Sequence, residues 1–248
     1  MNQIRVASVS YLNARPLVYG LTHHPVINQI QLTEDYPAFV ARQLVAGEVD
    51  MGLIPVAMIP KLPQSFIVAD YCIGADGPVA SVCLFSEVPM DQITHVYLDY
   101  QSRTSVNLAR VLLREYWKKD VQFLDATGED FRDKIKGNTA GVVIGDRALE
   151  QRQRSPFIYD LAEAWIDHTG LPFVFAAWVA NKPLPPDFVA AFNEANKWGL
   201  EQLEVVLQNI NYPVYDLNKY FTHNISYLLD DDKRKGLALF LEKLRDNT

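Results

Sequence analysis

Short apolar runs alternate with amphipathic segments along most of this chain, and that alternation limits the fold more than any other feature. The first run, Ile4-Arg5-Val6-Ala7-Ser8-Val9, reads as a strand. It passes without a break into the polar turn Ser10-Tyr11-Leu12-Asn13-Ala14, after which Pro16 favours the first turn of a helix. Residues 37–46 form a second helix with a mostly apolar stripe of Phe39, Val40, Gln43 and Leu44, stopped by Gly47. A short strand over 49–54 is closed by Pro55, and 80–86 is another strand. After Pro89 a fresh series begins. It runs strand His95–Leu98, helix Ser105–Lys118, strand Val121–Leu124, helix Glu129–Lys136, strand Gly141–Ile144, helix Arg147–Gln153 and the continuous apolar strand Phe173–Val179. The tail is helical, with one long helix over 187–208 and another over 230–246, where Asp230-Asp231-Asp232 reads as a cap favoured by the helix dipole. This order predicts an α/β protein. Crossings near 86–90 and 175–180 divide it into two lobes, 1–87 with 178–248, and 88–177.

The chain has 248 residues, of which 49% are apolar, enough for a sizeable core. Its formal net charge of −7 argues against a nucleic-acid surface, which needs a basic stripe. Any anionic ligand must therefore be held by local positive potential against the overall field. The two cysteines, Cys72 and Cys83, form no C-x-x-C pair and join no zinc-spaced cluster, so they read as buried thiols in a reducing compartment. The longest apolar stretch, Leu171 to Ala180, falls well short of the roughly 20 residues of a membrane span. The first strand starts almost at Met1, leaving no room for a secretion signal, and a cytoplasmic protein is expected. There is no G-x-G-x-x-G and no P-loop, so no cofactor and no metal are expected.

A polar turn at the exit of a strand is where an open α/β sheet places its ligand. Ser10-Tyr11-Leu12-Asn13-Ala14 with Pro16-Leu17, Asp50-Met51-Gly52-Leu53-Ile54-Pro55-Val56, Ser81-Val82, Asp99 with Ser102-Arg103-Thr104-Ser105, Ile144-Gly145-Asp146, and Thr169-Gly170-Leu171-Pro172-Phe173-Val174 resemble, in this order, the chorismate dehydratase family. No single motif is diagnostic, but six in sequence over residues 4–180 make a specific signal. The resemblance implies the two-lobed, type II periplasmic-binding-protein-like fold with a ligand cleft between the lobes. It also implies loss of water from chorismate to give 3-[(1-carboxyvinyl)oxy]benzoate in the futalosine route to menaquinone. A cytoplasmic small-anion-binding protein and the sister dihydroxynaphthoate synthase are the alternatives.

Chorismate is a dianion with a hydroxyl that must leave, so such a site needs anion holders and a means of moving a ring proton. The family motif makes Asn13 and Ser81 the catalytic candidates. Read alone, Asn13 is a turn residue and Ser81 a strand serine bonding backbone. Ser102, Arg103, Thr104 and Ser105 stand at the mouth of a helix, where unpaired N–H groups and the dipole welcome a carboxylate. Arg103 opposes that dipole, which a bound anion would relieve; the other reading has Ser102 as a simple cap and Arg103 in solvent. Ser10 offers a hydroxyl, and Tyr11 is a pocket wall or core. Gly145 and Asp146 complete the substrate-binding set, Asp146 as an N-cap or as a wall residue meeting the leaving hydroxyl. Arg15 reads equally as a surface ion pair or a ligand contact. With no general base in view, the enolpyruvyl carboxylate of the substrate itself is expected to take the ring proton.

Overall fold

The computed structural model describes residues 3–246. Strand β1 (Ile4–Val9) runs through a tight 3-10 turn (Leu12–Ala14) into α1 (Arg15–His23), followed by β2 (Ile30–Asp35), α2 (Pro37–Val45), β3 (Met51–Pro55) and β4 (Phe66–Ala75). The middle of the chain builds β5 (Val82–Ser86), β6 (His95–Leu98), α3 (Thr104–Glu115), β7 (Gln122–Asp125), β8 (Thr139–Ile144), α4 (Asp146–Gln151), β9 (Phe157–Asp160) and α5 (Leu161–Thr169). The chain returns through β10 (Phe173–Ala180) and ends in α6 (Pro186–Glu201), α7 (Leu203–Gln208), α8 (Leu217–Lys219), β11 (Ser226–Leu228) and α9 (Asp231–Arg245).

Two sheets form, each the centre of one lobe. The first has the order β11-β4-β10-β3-β1-β2, the second β7-β6-β8-β5-β9. In the first, β1 lies parallel to β2 and β3, while β10 is antiparallel to β3 and β4. In the second, β6 is parallel to β7 and β8, and β5 is antiparallel to β8 and β9.

The pairings move both expected crossings. Residues 82–86 lie in the second sheet, with Val82 opposite Ile144 and Cys83 opposite Asp160. All of β10 lies in the first sheet, with Trp178 opposite Leu53. The chain therefore changes sheets at 76–81 and 170–172, not near 86–90 and 175–180, and lobe boundaries at 87 and 178 each fall several residues late. The reason is burial. Every residue of β10 is buried, and a continuous apolar strand belongs in the middle of a sheet rather than on a hinge. Trp178 is core: it stacks edge-on to Phe192 and its indole N–H donates to Asn196 Oδ1 at 3.2 Å.

Other expectations shift less. Residues 129–134 tighten into a 3-10 turn instead of a full helix, and the expected helix over 187–208 breaks at Gln202. Asp230 does cap α9, accepting the Lys233 N–H at 2.9 Å. Cys72 and Cys83 are both buried and unpaired. Helices α1 and α6 cross with their backbones in contact. A Cβ on Gly20 would lie 2.0 Å from the Ala195 carbonyl oxygen, and one on Gly199 would lie 2.1 Å from that of Pro16. That contact seats α1, and with it the turn after β1. Among the described residues no helix is long and apolar enough to cross a membrane.

Candidate active site

Three strands, β1, β6 and β8, deliver their carboxyl ends to the same place between the lobes, the usual position for a ligand in open α/β sheets. The turn after β1 reaches across to the second lobe. The ring of Tyr11 packs on Gly145, and a Cβ at position 145 would come within 2.8 Å of it. Gly145 also holds φ 65, ψ −148, a region that in practice only glycine occupies. The Tyr11 hydroxyl donates to Gln101 Oε1 and accepts from Arg147 Nη2, the latter at 3.2 Å. Burial pushes the Tyr11 phenol well above its ordinary range. Next to it, the Leu12 N–H donates to Asp146 Oδ1 at 3.0 Å.

Asn13 follows on the same turn. Its side-chain oxygen is buried and accepts no hydrogen bond. Its backbone carbonyl accepts the Tyr227 hydroxyl at 2.9 Å. Ser81, fully buried just before β5, accepts the Tyr220 hydroxyl on its Oγ at 2.7 Å, and its carbonyl takes the Gly145 N–H at 2.8 Å. The contacts thus join Tyr11, Gly145, Asp146 and Ser81 into one constellation, and Asn13 stands beside it on the turn that carries Tyr11 and Leu12. Because Ser81 Oγ uses a lone pair on Tyr220, its own proton remains to be given.

Asp146 opens α4 without capping it; Gly145 stands at the cap position. Its carboxylate instead crosses to Leu12, while its carbonyl accepts the Tyr212 hydroxyl at 3.0 Å. Burial raises the Asp146 carboxyl to about 6, against the opposing pull of the Leu12 N–H and Arg15.

At α3, Arg103 stands at the cap position, and Ser102 Oγ, one residue earlier, accepts the first-turn Ser105 N–H at 3.0 Å. Thr104 Oγ1 accepts the Ala57 N–H from the first lobe at 3.2 Å. Ser102, Thr104 and Ser105 are all buried. Arg103 is not drawn in with them. It is exposed, and its Nη1 donates to the carbonyls of Tyr100 and Ser102. Ser10 extends the β1–β2 ladder, donating its N–H to Asp35. Its carbonyl accepts from Arg15, which also pairs with Glu34 at 3.2 Å, so Arg15 makes a surface ion pair.

The cation that does sit at the centre is Arg147, which the sequence reading passed over. It bonds both oxygens of the fully buried Asp99 carboxylate, at 3.1 and 2.8 Å, and Glu129 at 2.9 Å. Its Nε is buried without a partner. Burial pushes the Asp99 carboxyl up, opposed by Arg147 and by the N–H groups of Gln101 and Ile144. Also missed were Tyr212, Tyr220 and Tyr227, which lock the backbone or hydroxyl of Asp146, Ser81 and Asn13 from behind. The only sequence signal was a tail unusually rich in tyrosine, with Tyr212, Tyr215, Tyr220 and Tyr227 within sixteen residues.

The family described as menaquinone biosynthesis matches residues 4–246. Two curated relatives are named chorismate dehydratase. The one from Thermus thermophilus is 28% identical over 259 residues, covering 94% of this chain and 92% of the relative. The one from Campylobacter jejuni is 25% identical over 245 residues, covering 94% of each. Among solved structures, protein AF1704 from Archaeoglobus fulgidus superposes with a TM-score of 0.74 at 13% identity, covering 99% of this chain and 97% of the other. The periplasmic aliphatic sulphonate binding protein of Escherichia coli superposes with a TM-score of 0.57 at 14% identity, covering 100% and 93%. These likenesses give the fold, that of periplasmic binding proteins, with two α/β lobes.

Proposed function

Because this chain belongs to the menaquinone biosynthesis family, we propose that it is a chorismate dehydratase, a hydro-lyase that converts chorismate to 3-[(1-carboxyvinyl)oxy]benzoate in the cytoplasm as a step of the futalosine route. The observation that carries the reading is the Asn13 side-chain oxygen, buried with no donor. Leaving such an acceptor unmet costs on the order of 1–3 kcal/mol, which a substrate hydroxyl would recover.

In this reading the departing hydroxyl of chorismate donates to Asn13 Oδ1. Ser81, backed by Tyr220, donates a hydrogen bond to the enolpyruvyl carboxylate and fixes that group over the neighbouring ring proton. The carboxylate takes the ring proton, the C–H electrons form the new ring double bond, and the carbon–oxygen bond to the hydroxyl breaks. The proton held on the carboxyl then joins the departing hydroxide as water. Aromatisation drives the step, so the protein positions and neutralises rather than supplying a strong base. The other carboxylate sits at the first turn of α3, where N–H groups and the hydroxyls of Ser102, Thr104 and Ser105 meet it. Asp146 holds the wall through Leu12, Ser10 shapes the mouth of the turn, and Tyr11 with Gly145 closes one side.

The test is direct. The protein incubated with chorismate should yield an aromatic product, and Asn13→Ala and Ser81→Ala should each lower kcat by about a hundredfold or more. No product from the native chain would remove the function; near-native turnover in both variants would remove the residue roles.

A further inference from the structure

Away from the cleft, a groove of about 820 Å³ runs between α3, the turn that follows β3 and the end of α9. Its walls are unusual for a chain of net charge −7. Lys61, Arg110, Lys118 and Lys119 line it, and Asp120 is the one carboxylate among the lining residues. Most lysines and arginines elsewhere in the described chain stand within ion-pair distance of a carboxylate, as Arg5, Arg15, Arg132 and Lys233 do. Lys61, Arg110, Lys118 and Lys119 have no such partner among the described residues. Arg110 lies over the Phe123 ring at 4.1 Å, and Lys119 donates to the Asp91 carbonyl. Lys118 holds a left-handed backbone at φ 53, a conformation that glycine takes freely and lysine does not. Beneath these charges the lining is apolar, with Val111, Leu113, Val121 and Phe123.

We propose that this groove is a second ligand site, separate from the cleft, for a small molecule with an apolar body and one or two negative charges. Its volume is in the range of small-molecule sites, and its four cations, none with a carboxylate partner among the described residues, over an apolar floor match that ligand chemistry. Desolvated contacts between such a ligand and stacked Arg110 would be stronger than any of these cations makes with water alone. The site also shares α3 with the cleft. Ala57, on the groove wall, donates its N–H to Thr104 at the cleft end of that helix.

The probe is 8-anilinonaphthalene-1-sulfonate, followed by fluorescence on the full chain. Saturable binding of one probe per chain is expected, weakening as salt rises from about 50 to about 500 mM. The double variant Arg110→Glu/Lys118→Glu should bind at least tenfold more weakly while keeping a near-native thermal midpoint. Should that variant fail to fold, the milder Lys61→Gln/Lys118→Gln should still lose affinity several-fold. Absence of saturable binding, or unchanged affinity in a folded variant, overturns the proposal. Neither readout depends on the reaction in the cleft.

Discussion

The hydroxyl of Tyr220 donates to Ser81 Oγ at 2.7 Å, although the two residues stand 139 positions apart in the chain. Both are fully buried. With the lone pair facing Tyr220 occupied, the serine proton is turned away from that tyrosine. Tyr220→Phe should leave the fold nearly intact, at a cost of about 1 kcal/mol. It should lower kcat about tenfold with little change in KM, because the serine loses its orientation rather than the substrate its contacts. Steady-state kinetics beside a urea titration checks both parts.

Gly145 is the position least open to change. A methyl there meets the Tyr11 ring at 2.8 Å, and the backbone angles are strained for any other residue. Gly145→Ala should cost at least about 2 kcal/mol of stability and abolish measurable turnover. A variant with a native thermal midpoint would contradict this.

Asp146 makes stability depend on pH in a predictable direction. Burial raises its carboxyl from 3.8 to about 6 in the folded chain. Between these values the native state binds more protons than the unfolded state, so this group's contribution falls as pH rises from about 4 through about 6. Asp146→Asn keeps an acceptor for Leu12 without the charge. Relative to the native chain, the variant should therefore gain stability between pH 4 and pH 7. Paired denaturation curves across that range measure the difference, and parallel pH profiles would refute it.

Arg147 and Asp99 form a buried ion pair at 2.8 Å, with the aspartate side chain wholly inaccessible. Arg147→Met should cost about 3 kcal/mol, because it strands a buried carboxylate. Adding Asp99→Asn should restore part of that loss. Two single variants and the double variant, compared by their urea midpoints, give the coupling; additive losses would mean that the pair does not act as a unit.

Much of this architecture is legible in the chain itself. The strand at 4–9 and the strand at 95–98 fall where the apolar runs begin and end, and Gly47, at φ 70, stops α2 as a left-handed terminus. The strands that escaped notice have weak patterns for identifiable reasons. β2 is an edge strand with one buried residue of six, and β4 carries Asp70 and Gly74 and slips register twice against β10. The turn residues of the site could be read from the chain because each lies beside a strand end. Arg147 looked like an ordinary helix residue, since its carboxylate partner Asp99 lies 48 positions away. The tyrosines of the tail were out of reach for the same reason: their partners lie 66, 139 and 214 positions off.

The placement of β10 between β3 and β4 has a consequence for the cell that makes this protein. Its two flanking neighbours leave the ribosome about a hundred residues earlier than it does. At a translation rate of about 5–20 residues per second, the slot stays vacant for roughly 5–20 s. Throughout that interval β3 shows one unzipped border and β4, whose partners β10 and β11 both come later, has no sheet to join, and each is a template for a neighbouring chain. Stray pairing of these strands is thus a hazard of synthesis, and slower translation lengthens it.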